Sequence, residues 1–416
     1  MNFTHLRINS RFLRLPAPRL GMLTPGMLAL GLLTLLPLAL VGLPTAEVSA
    51  SEAAEATPSE AKPAEAELSE ADFLDRVRRL TFDGLRAGEG YFSPDGSQMV
   101  FQSERDPENP FYQIFLLDMA TGDVKRISNG VGKTTCAFIR PGSTEIVYGS
   151  THHDPRSLDL QKAELDFRAS GQERRYSWDY DPEMELWAVD SESGDAKRLT
   201  HAKGYDAEAS YSPDGEWIVY TSTRTAFEGE PTDAQKKQLE IDPAFFAELY
   251  LMKADGTENR RLTNVDGYDG GPFFFPDGER VIWRRFTEDG LTADVYSVKA
   301  DGTDEKRLTD FGAMSWAPYV HPSGEYVFFA SNKLGFTNFE VFIVDVNGTK
   351  EPVQVTYTDG FDGLPVPTPD GKQLTWTSSG RHEGKGGQIY IANWNHQRAL
   401  EALAAAPPRR NNSKSK

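Results

Sequence analysis

Short apolar runs recur along the chain and are separated by residues that favour tight turns. Representative runs occupy residues 99–101, 217–220 and 249–252, and they consist of aromatic and aliphatic side chains. Runs of this length, bounded by Gly, Pro, Asp and Ser, predict β-strands rather than helices. The pattern therefore indicates an all-β protein built from many short strands.

One turn sequence recurs between the first two strands of each unit. It reads Ser-Pro-Asp-Gly at residues 93–96 and 212–215, and related forms occupy 140–143, 275–278, 321–324 and 368–371. The Pro presets φ at the second turn position, and the closing Gly accepts a positive φ. Such a turn joins two antiparallel strands. Asp-Gly pairs at 255–256 and 301–302 predict a second hairpin further along the unit.

Each unit therefore holds four strands, which we call A to D in chain order. The D strands end at six polar residues: Thr81, Ser128, Thr200, Thr263, Thr309 and Thr356. The first D strand precedes any A strand, and the last unit lacks a D strand. The sequence predicts a six-bladed β-propeller of four-stranded antiparallel blades, in which the N-terminal strand completes the sixth blade. A linear solenoid is the alternative architecture.

The Pro-Asp-Gly turns and the Arg-Leu-Thr endings of the D strands resemble the propeller repeats of TolB. The resemblance covers about residues 73–395 and implies the propeller fold in an exported envelope protein. TolB carries an α/β domain before its propeller, whereas the preceding region of this chain has the sequence of a signal and a linker. Similar propellers also precede the catalytic domain of some dipeptidyl-peptidase-type enzymes, so the resemblance predicts fold more narrowly than function.

Four regions follow from composition. Residues 1–50 hold four Arg followed by a long uncharged Leu-rich run, which predicts a signal peptide or an uncleaved membrane anchor. Residues 51–70 form an Ala/Glu/Pro linker expected to be disordered, 71–396 form the propeller, and 397–416 form a short helix and a polar tail. Either reading of the first region predicts a periplasmic or exported propeller, with membrane contact only through an uncleaved N-terminal segment.

The formal net charge of −18 argues against a nucleic-acid partner and against anionic membrane surfaces. The single cysteine, Cys136, excludes an intramolecular disulfide, and its apolar surroundings favour an inert thiol. We expect a monomer, no cofactor and no resident metal. Inward carboxylates leave calcium open as an alternative, although no Asp-x-Asp-x-Asp-Gly loop is present.

Two insertions and several acidic-aromatic loops are predicted to meet at one mouth of the channel. The insertions occupy about residues 152–182 and 225–245, between strands B and C of the second and third blades. Connections B–C and D–A emerge at the same end of an up-and-down sheet, and loops on a rigid scaffold often carry function. The three aromatics of residues 176–180 are predicted either to cap the channel or to pack on a blade edge.

The candidate partner-binding residues are those that these loops bring to the mouth: Tyr205, Asp206, Glu208, Tyr268, Asp269, Trp316, Phe361, Asp362 and Arg381. Glu89 belongs to the same mouth, and the ends of the B strands add Arg105, Arg224 and Arg284. Aromatic rings would stack on a ligand, while carboxylates and guanidinium groups would form hydrogen bonds. The alternative is structural: Asp and Gly also build tight loops, and each Arg can pair with a neighbouring Asp.

No nucleophile elbow, zinc motif or phosphate loop is present in the sequence, and we expect no catalytic residues. The sequence therefore predicts a non-enzymatic envelope module that binds a protein, a peptide or a glycan. Two alternatives remain open. One is a metal-dependent hydrolase or lyase with its site in the channel, and the other is the regulatory propeller partner of a peptidase.

Overall fold

The computed structural model describes residues 68–172, 180–384 and 386–409. It contains six four-stranded antiparallel sheets, each following the A-B-C-D order along the chain except the last. The predicted six-bladed β-propeller is therefore confirmed. Its inner edge is formed by the six A strands, and the short D strands lie outermost.

The chain begins with helix α1 (Glu70–Phe73) and strand β1 (Leu74–Arg79). The next three blades comprise β2 (Arg86–Phe92), β3 (Gln98–Glu104), β4 (Gln113–Asp118) and β5 (Val124–Arg126); β6 (Thr134–Ile139), β7 (Glu145–Ser150), α2 (Ser157–Ala169), β8 (Glu185–Asp190) and β9 (Ala196–Arg198); and β10 (Asp206–Tyr211), β11 (Trp217–Ser222), α3 (Asp233–Ile241), β12 (Glu248–Lys253) and β13 (Arg260–Arg261).

The last three blades comprise β14 (Asp269–Phe274), β15 (Arg280–Phe286), β16 (Ala293–Lys299) and β17 (Lys306–Arg307); β18 (Ser315–Val320), β19 (Tyr326–Ser331), β20 (Glu340–Asp345) and β21 (Val353–Gln354); and β22 (Asp362–Pro367), β23 (Gln373–Ser378), β24 (Gln388–Trp394) and helix α4 (His396–Ala405). Two 3-10 turns, Arg224–Phe227 and Pro243–Phe246, flank α3.

Strand β1 closes the ring by pairing with β24, so that the sixth blade has the order β1-β24-β23-β22. Phe73, just before β1, stacks on Trp394 at the end of β24 with ring centroids 5.9 Å apart. The indole nitrogen of Trp394 donates a buried hydrogen bond of 2.7 Å to the hydroxyl of Tyr326 in blade 5. The closure predicted from the unpaired D strand is confirmed, and it removes two exposed sheet edges.

Helix α4 packs against the closing blade through one apolar face. The side chain of Asn395 accepts a hydrogen bond from the backbone nitrogen of Arg398 and caps the helix, while Ala399, Ala402 and Leu403 are buried. These residues join Phe73 and Trp394 in a single apolar cluster. The helix therefore reinforces the point at which the two ends of the propeller meet.

Every inner strand carries a β-bulge at its third or fourth residue, where the ladder to strand B shifts register. The bulge residue has positive φ in all six blades: Glu89, Cys136, Glu208, Gly271, Ala317 and Leu364. The bulge re-aims this side chain, and the bulge residues of the neighbouring blades 1 and 2 are in contact. The fold thus supplies one inward-directed position per blade.

Two residues beyond the bulges, aromatic side chains from four blades meet at the centre of the ring. Tyr91 contacts Phe273 and Tyr319 with ring centroids 5.2 and 6.2 Å apart, and Phe138 lies 5.7 Å from Tyr91. Tyr91 and Phe273 belong to opposite blades, so these rings cross the axis of the channel. We call Tyr91, Phe138, Phe273 and Tyr319 the aromatic plug. It forms a floor beneath the bulge residues.

The ring closure can be tested with Phe73→Ala. Phe73 is 1% exposed, and removing a buried aromatic ring costs about 3–5 kcal/mol because a cavity remains. We expect denaturant unfolding to begin at a markedly lower concentration. Val77→Ala on the exposed side of β1 is the control and should change the free energy of unfolding by less than about 0.5 kcal/mol. Equal effects of the two substitutions would contradict the role assigned to Phe73.

Candidate functional site

The D–A loops and B–C connections lie at one end of the propeller, which we call the mouth face. In blade 2 the B–C connection contains α2, and in blade 3 it contains α3 and the two 3-10 turns. Residues 173–179, which hold most of the predicted aromatic cap, lie outside the described residues. Tyr180 is described, and its ring packs 5.7 Å from that of Tyr205.

Three of the predicted aspartates begin inner strands and are fully buried. Each pairs with an arginine that follows or ends strand B of its own blade: Asp206 with Arg224 at 2.8 Å, Asp269 with Arg285 at 2.7 Å, and Asp362 with Arg381 at 2.7 Å. The guanidinium groups also cover aromatic rings of strands B or C, namely Tyr250, Tyr296 and Trp376. This repeated arrangement fixes where each inner strand begins.

Arg381 has a further role at the closure. Its guanidinium donates two hydrogen bonds to the carboxylate of Glu70, at 2.8 and 2.7 Å, in addition to its pair with Asp362. The predicted binding residues Asp206, Asp269, Asp362 and Arg381 therefore lie in buried or half-buried ion pairs beneath the mouth surface. The structure places them within the scaffold of the loops rather than on the exposed wall.

Glu208, the bulge residue of blade 3, lies at the centre of a second polar group. Its carboxylate accepts hydrogen bonds from the hydroxyl of Tyr268, from the backbone nitrogen of Gly271 and from Arg284, whose Nη2 lies 3.1 Å from Oε2. Tyr205 adds a longer hydroxyl contact of 3.4 Å. Glu208 is 7% exposed, and these four donors compensate for its removal from water.

Arg284 reaches Glu208 through a gap in the inner strand of its own blade. Gly270 and Gly271 lie between them, and a Cβ atom on Gly271 would collide with Nη1 of Arg284. Gly271 also has a φ of 61°, which glycine adopts without strain. Arg285, not Arg284, pairs with the first residue of the inner strand, as Arg224 does in blade 3. The sequence feature that marks this blade is the pair Gly270-Gly271, whose missing side chains leave space for Arg284 to enter the lumen.

Glu89, the bulge residue of blade 1, faces the same group from the other side of the lumen. The thiol of Cys136 donates a hydrogen bond of 3.2 Å to Glu89 Oε2. Burial raises the pKa of Glu89 to about 7, with a further rise caused by the charge of Glu208, while the Cys136 thiol and Arg284 oppose it. Burial and the neighbouring carboxylates raise the pKa of Cys136 well above its usual value. This shift favours the protonated thiol that donates to Glu89, and the inert role of Cys136 stays a prediction.

Beside this group, three half-buried aromatic side chains form a wall on the mouth side of blades 5 and 6. The ring of Trp316 lies 6.0 Å from that of Phe361, and Phe339 lies 5.6 Å from Phe361. The guanidinium of Arg284 lies 5.8 Å from the Trp316 ring and connects the wall to the polar group. We call Glu89, Cys136, Glu208, Tyr268 and Arg284 the channel cup, and Trp316, Phe339 and Phe361 the aromatic wall.

The structure thus brings together five of the nine predicted residues: Tyr205, Glu208, Tyr268, Trp316 and Phe361. Phe339 was missed by sequence reasoning because it follows a B–C loop with no turn motif to mark it. Arg284 and Glu89 were recognised as mouth residues, but their meeting in the lumen depends on bulges that the sequence did not reveal. The cup and the wall form one continuous candidate binding site above the aromatic plug.

Exposed apolar side chains concentrate on the same face. Twelve large hydrophobic residues of the described chain are exposed, and ten of them lie in mouth-face connections: Phe82, Leu85, Leu158, Leu160, Ile241, Val265, Leu291, Leu334, Phe336 and Tyr357. The other two, Val77 and Val124, lie on outer D strands. We call the ten residues the apolar rim. The opposite face, built from the Pro-Asp-Gly and Asp-Gly turns, presents none of them.

Within the described residues, no group of three or more His, Cys, Asp or Glu side chains is arranged to hold a metal ion. None of the described helices combines the length and the apolar character needed to cross a bilayer. The site is therefore characterised by aromatic rings, one buried ion pair and one carboxyl group with a raised pKa.

No family model matches the sequence. An uncharacterised protein of Agrobacterium fabrum is 27% identical over 214 residues, which span 48% of this chain and 65% of that protein. A TolB homologue of Chlorobium chlorochromatii is 28% identical over 122 residues, spanning 24% of this chain and 28% of the homologue. The chain thus spans less than two thirds of the length of these relatives.

Among solved structures, a TolB protein described as putative from Agrobacterium tumefaciens has a TM-score of 0.49 and 18% identity, covering 74% of this chain and 90% of that one. An oligogalacturonate lyase from Vibrio parahaemolyticus has a TM-score of 0.47 and 14% identity, covering 77% of this chain and 94% of that one. In sequence, an uncharacterised peptidase of Bacillus subtilis is 26% identical over 161 residues, spanning 36% of this chain and 23% of that protein. The TolB homologue and the six-bladed architecture confirm the predicted resemblance to TolB-type propellers. The resemblance fixes the fold and leaves the activity to be argued from the site.

The substitution Asp269→Ala tests whether the buried Asp–Arg pairs stabilise the fold. This substitution leaves the guanidinium of Arg285 without its buried partner, and breaking such a pair costs about 3–5 kcal/mol. Asp266→Ala, three residues earlier in the same loop and exposed, is the matched control. We expect chemical denaturation to show a large loss of stability for the first and little change for the second. A small loss of stability in Asp269→Ala would contradict a structural role for the Asp269–Arg285 pair.

The raised pKa of Glu89 predicts a specific pH dependence of stability. Because the pKa is about 7 in the folded protein and 4.5 ordinarily, the folded state binds more protons, and stability is lost as pH rises through this interval. Glu89→Gln removes the effect, so the variant should gain roughly 3 kcal/mol relative to the parent by about pH 8. Unfolding curves at several pH values measure this difference. Parallel pH profiles for parent and variant would contradict it, and Glu288→Gln on an exposed loop is the control.

Proposed function

We propose that this chain is an exported, non-enzymatic binding module of the cell envelope that docks a partner through the mouth face of its propeller. The observation that carries the proposal is the apolar rim, which gathers on one face ten of the twelve exposed large hydrophobic side chains among the described residues. Apolar side chains scattered singly over a surface need no explanation, whereas a concentration on one face marks an interaction site. Phe336, at 81% exposed, is the most exposed of them.

The channel cup and the aromatic wall lie inside this rim and would give the interaction its specificity. Tyr268, Trp316 and Phe361 keep accessible surface and would contact the ligand directly. Tyr205 and Glu208 are buried and would hold Tyr268 and Arg284 in position. Asp206, Asp269, Asp362 and Arg381 would act by fixing the loops that carry these side chains.

The proposed partner is an envelope protein or a peptide segment of one, with a glycan as the alternative. Large aromatic rings beside a small number of polar groups suit the anchoring residues of a protein partner. The first region has four Arg followed by an uncharged Leu-rich run, which supports export of the propeller. The net charge of −18 argues against nucleic acid as the partner. We expect the module itself to be monomeric.

A second candidate function is a hydrolase or lyase that acts on a small substrate in the channel. Glu89 favours it, because a carboxyl group with a pKa near 7 in an enclosed site can serve as a general acid or base. This candidate requires turnover that disappears in Glu89→Gln. In the metal-dependent form it also requires a stoichiometric ion in the purified protein and loss of activity on chelation.

The docking role can be tested with the double substitution Leu334→Ser/Phe336→Ser. Both residues are exposed in the B–C loop of blade 5, so the change should leave the free energy of unfolding within about 0.5 kcal/mol. We expect in-cell crosslinking of the full chain, read by mass spectrometry, to show a partner captured by the parent and lost with the variant. Trp316→Ala should weaken the same capture.

The matched control is Val77→Ser/Val124→Ser, which changes the two exposed valines that lie away from the mouth. This control should capture the partner as well as the parent does. Equal capture by the parent, the rim variant and the control would remove the mouth face from consideration as the docking surface.

A further inference from the structure

We propose that the ligand presents a cationic group, the ammonium or guanidinium of a basic peptide segment of the partner, and places it against Glu89 in the channel cup. This inference rests on the proposed function and names the chemistry that the mouth recognises. It depends on the balance of charges within the cup, on the charges of the loops around it, and on the surface that the aromatic wall offers to an aliphatic stem.

The cup contains two carboxylates and one guanidinium. Arg284 is committed to Glu208: its Nη2 lies 3.1 Å from Oε2 of Glu208 and 2.8 Å from the Tyr268 hydroxyl, and its guanidinium lies against Trp316. The charge of Glu208 is thus balanced by Arg284, and its oxygens also accept hydrogen bonds from Tyr268 and from the backbone of Gly271. Within the described residues, Glu89 accepts a hydrogen bond from the thiol of Cys136, and no ion pair is formed by it. The cup is therefore one positive charge short.

An enclosed carboxylate without a cation is an unfavourable arrangement, because the loss of hydration is not repaid by an opposite charge. The raised pKa of Glu89 is the consequence in the free protein. A ligand ammonium or guanidinium would compensate Glu89 directly in a site where charge-assisted hydrogen bonds are strong. A ligand carboxylate would instead meet two carboxylates, and a neutral hydroxyl would leave the charge uncompensated.

The loops around the cup favour the same sign of ligand charge. The D–A and B–C connections that border blades 4 to 6 carry seven carboxylates: Asp83, Asp266, Glu288, Asp289, Asp310, Asp359 and Glu383. The same loops carry three Lys or Arg residues, namely Lys333, Lys385 and Arg381, of which Arg381 is already paired with Glu70 and Asp362. An excess of one sign of charge around a mouth attracts ligands of the opposite sign and raises their rate of association.

The aromatic wall suits the rest of a basic side chain. Lysine and arginine carry apolar stems that pack on hydrophobic surface while the charged head is hydrogen-bonded. Trp316, Phe339 and Phe361 provide such a surface beside the cup and are half-buried in the free protein. A basic residue next to an aromatic or apolar residue in the ligand therefore matches both parts of the site.

The inference is tested with two small peptide probes, acetyl-Trp-Lys-amide and acetyl-Trp-norleucine-amide, which differ in the ammonium group. Binding to the full chain is measured by ligand-observed NMR at millimolar probe concentrations. We expect the lysine probe to bind the parent about tenfold or more tightly than the norleucine probe, because its ammonium group adds one charge-assisted hydrogen bond. The preference should disappear in Glu89→Gln, survive in Glu89→Asp, and be retained in Glu279→Gln, which removes an exposed carboxylate on the opposite face of the propeller.

A pH series adds a readout that a structural effect would not give. The titratable and charged groups that face Glu89 are Cys136 from β6, Glu208 from β10 and Arg284 from β15, with Tyr91 on its own strand. Since the cation binds the ionised carboxylate, affinity for the lysine probe should rise between about pH 6 and about pH 8. Affinity in Glu89→Gln should be flat over this range.

Thermal unfolding of each variant verifies that it is folded before binding is compared. Equal binding of the two probes to the parent, persistence of the preference in Glu89→Gln, or no binding of the lysine probe would each overturn the inference. None of these results would alter capture through the apolar rim. If the rim variant captured the partner as well as the parent does, while the Glu89 effect on the lysine probe persisted, the docking role would be rejected and the cation site would be kept.

Discussion

The pairing of β1 with β24 is the interaction on which the rest of the structure depends. Because the first strand completes the last blade, six sheets form a closed ring with no open edge at the junction. Closure holds the six inner strands at fixed positions around one axis, which is why residues more than a hundred positions apart can meet in the lumen. Phe73, Trp394 and α4 stabilise this junction through one buried apolar cluster.

The bulge in each inner strand sets the position of residues in the candidate binding site. It places one residue per blade at positive φ, and the bulge residues of blades 1 to 3 contribute to the channel cup together with Tyr268 and Arg284. These bulge residues are Glu89, Cys136 and Glu208, and in blade 4 a glycine leaves room for Arg284. The same residue types serve two purposes in this propeller. Asp–Arg pairs within a blade fix its loops, whereas the Glu208–Arg284 pair joins two neighbouring blades at the lumen.

The mouth face combines three features that differ in polarity. An apolar rim, an aromatic wall and a cup with an uncompensated carboxyl group lie in sequence from the surface inward. Such an arrangement suits a ligand that is apolar where it meets the rim and charged at its tip. The aromatic plug closes the channel below the cup, so a ligand would enter and leave by the same opening.

The sequence by itself determined the number of blades, the A-to-D strand order, the ring closure and the end of the propeller at which the loops gather. These follow from local rules, since turn dihedrals, apolar runs and a leftover strand are all visible in short segments such as residues 93–96 and 77–81. Only the tertiary structure decided which mouth residues are buried in ion pairs and which line the lumen. Asp269 and Glu208 are both carboxylates of predicted mouth segments, but Asp269 begins a strand and Glu208 occupies a bulge. Arg284 and Arg285 face opposite sides of the same strand. Such differences depend on register, bulges and contacts between blades, which arise only when distant segments pack together.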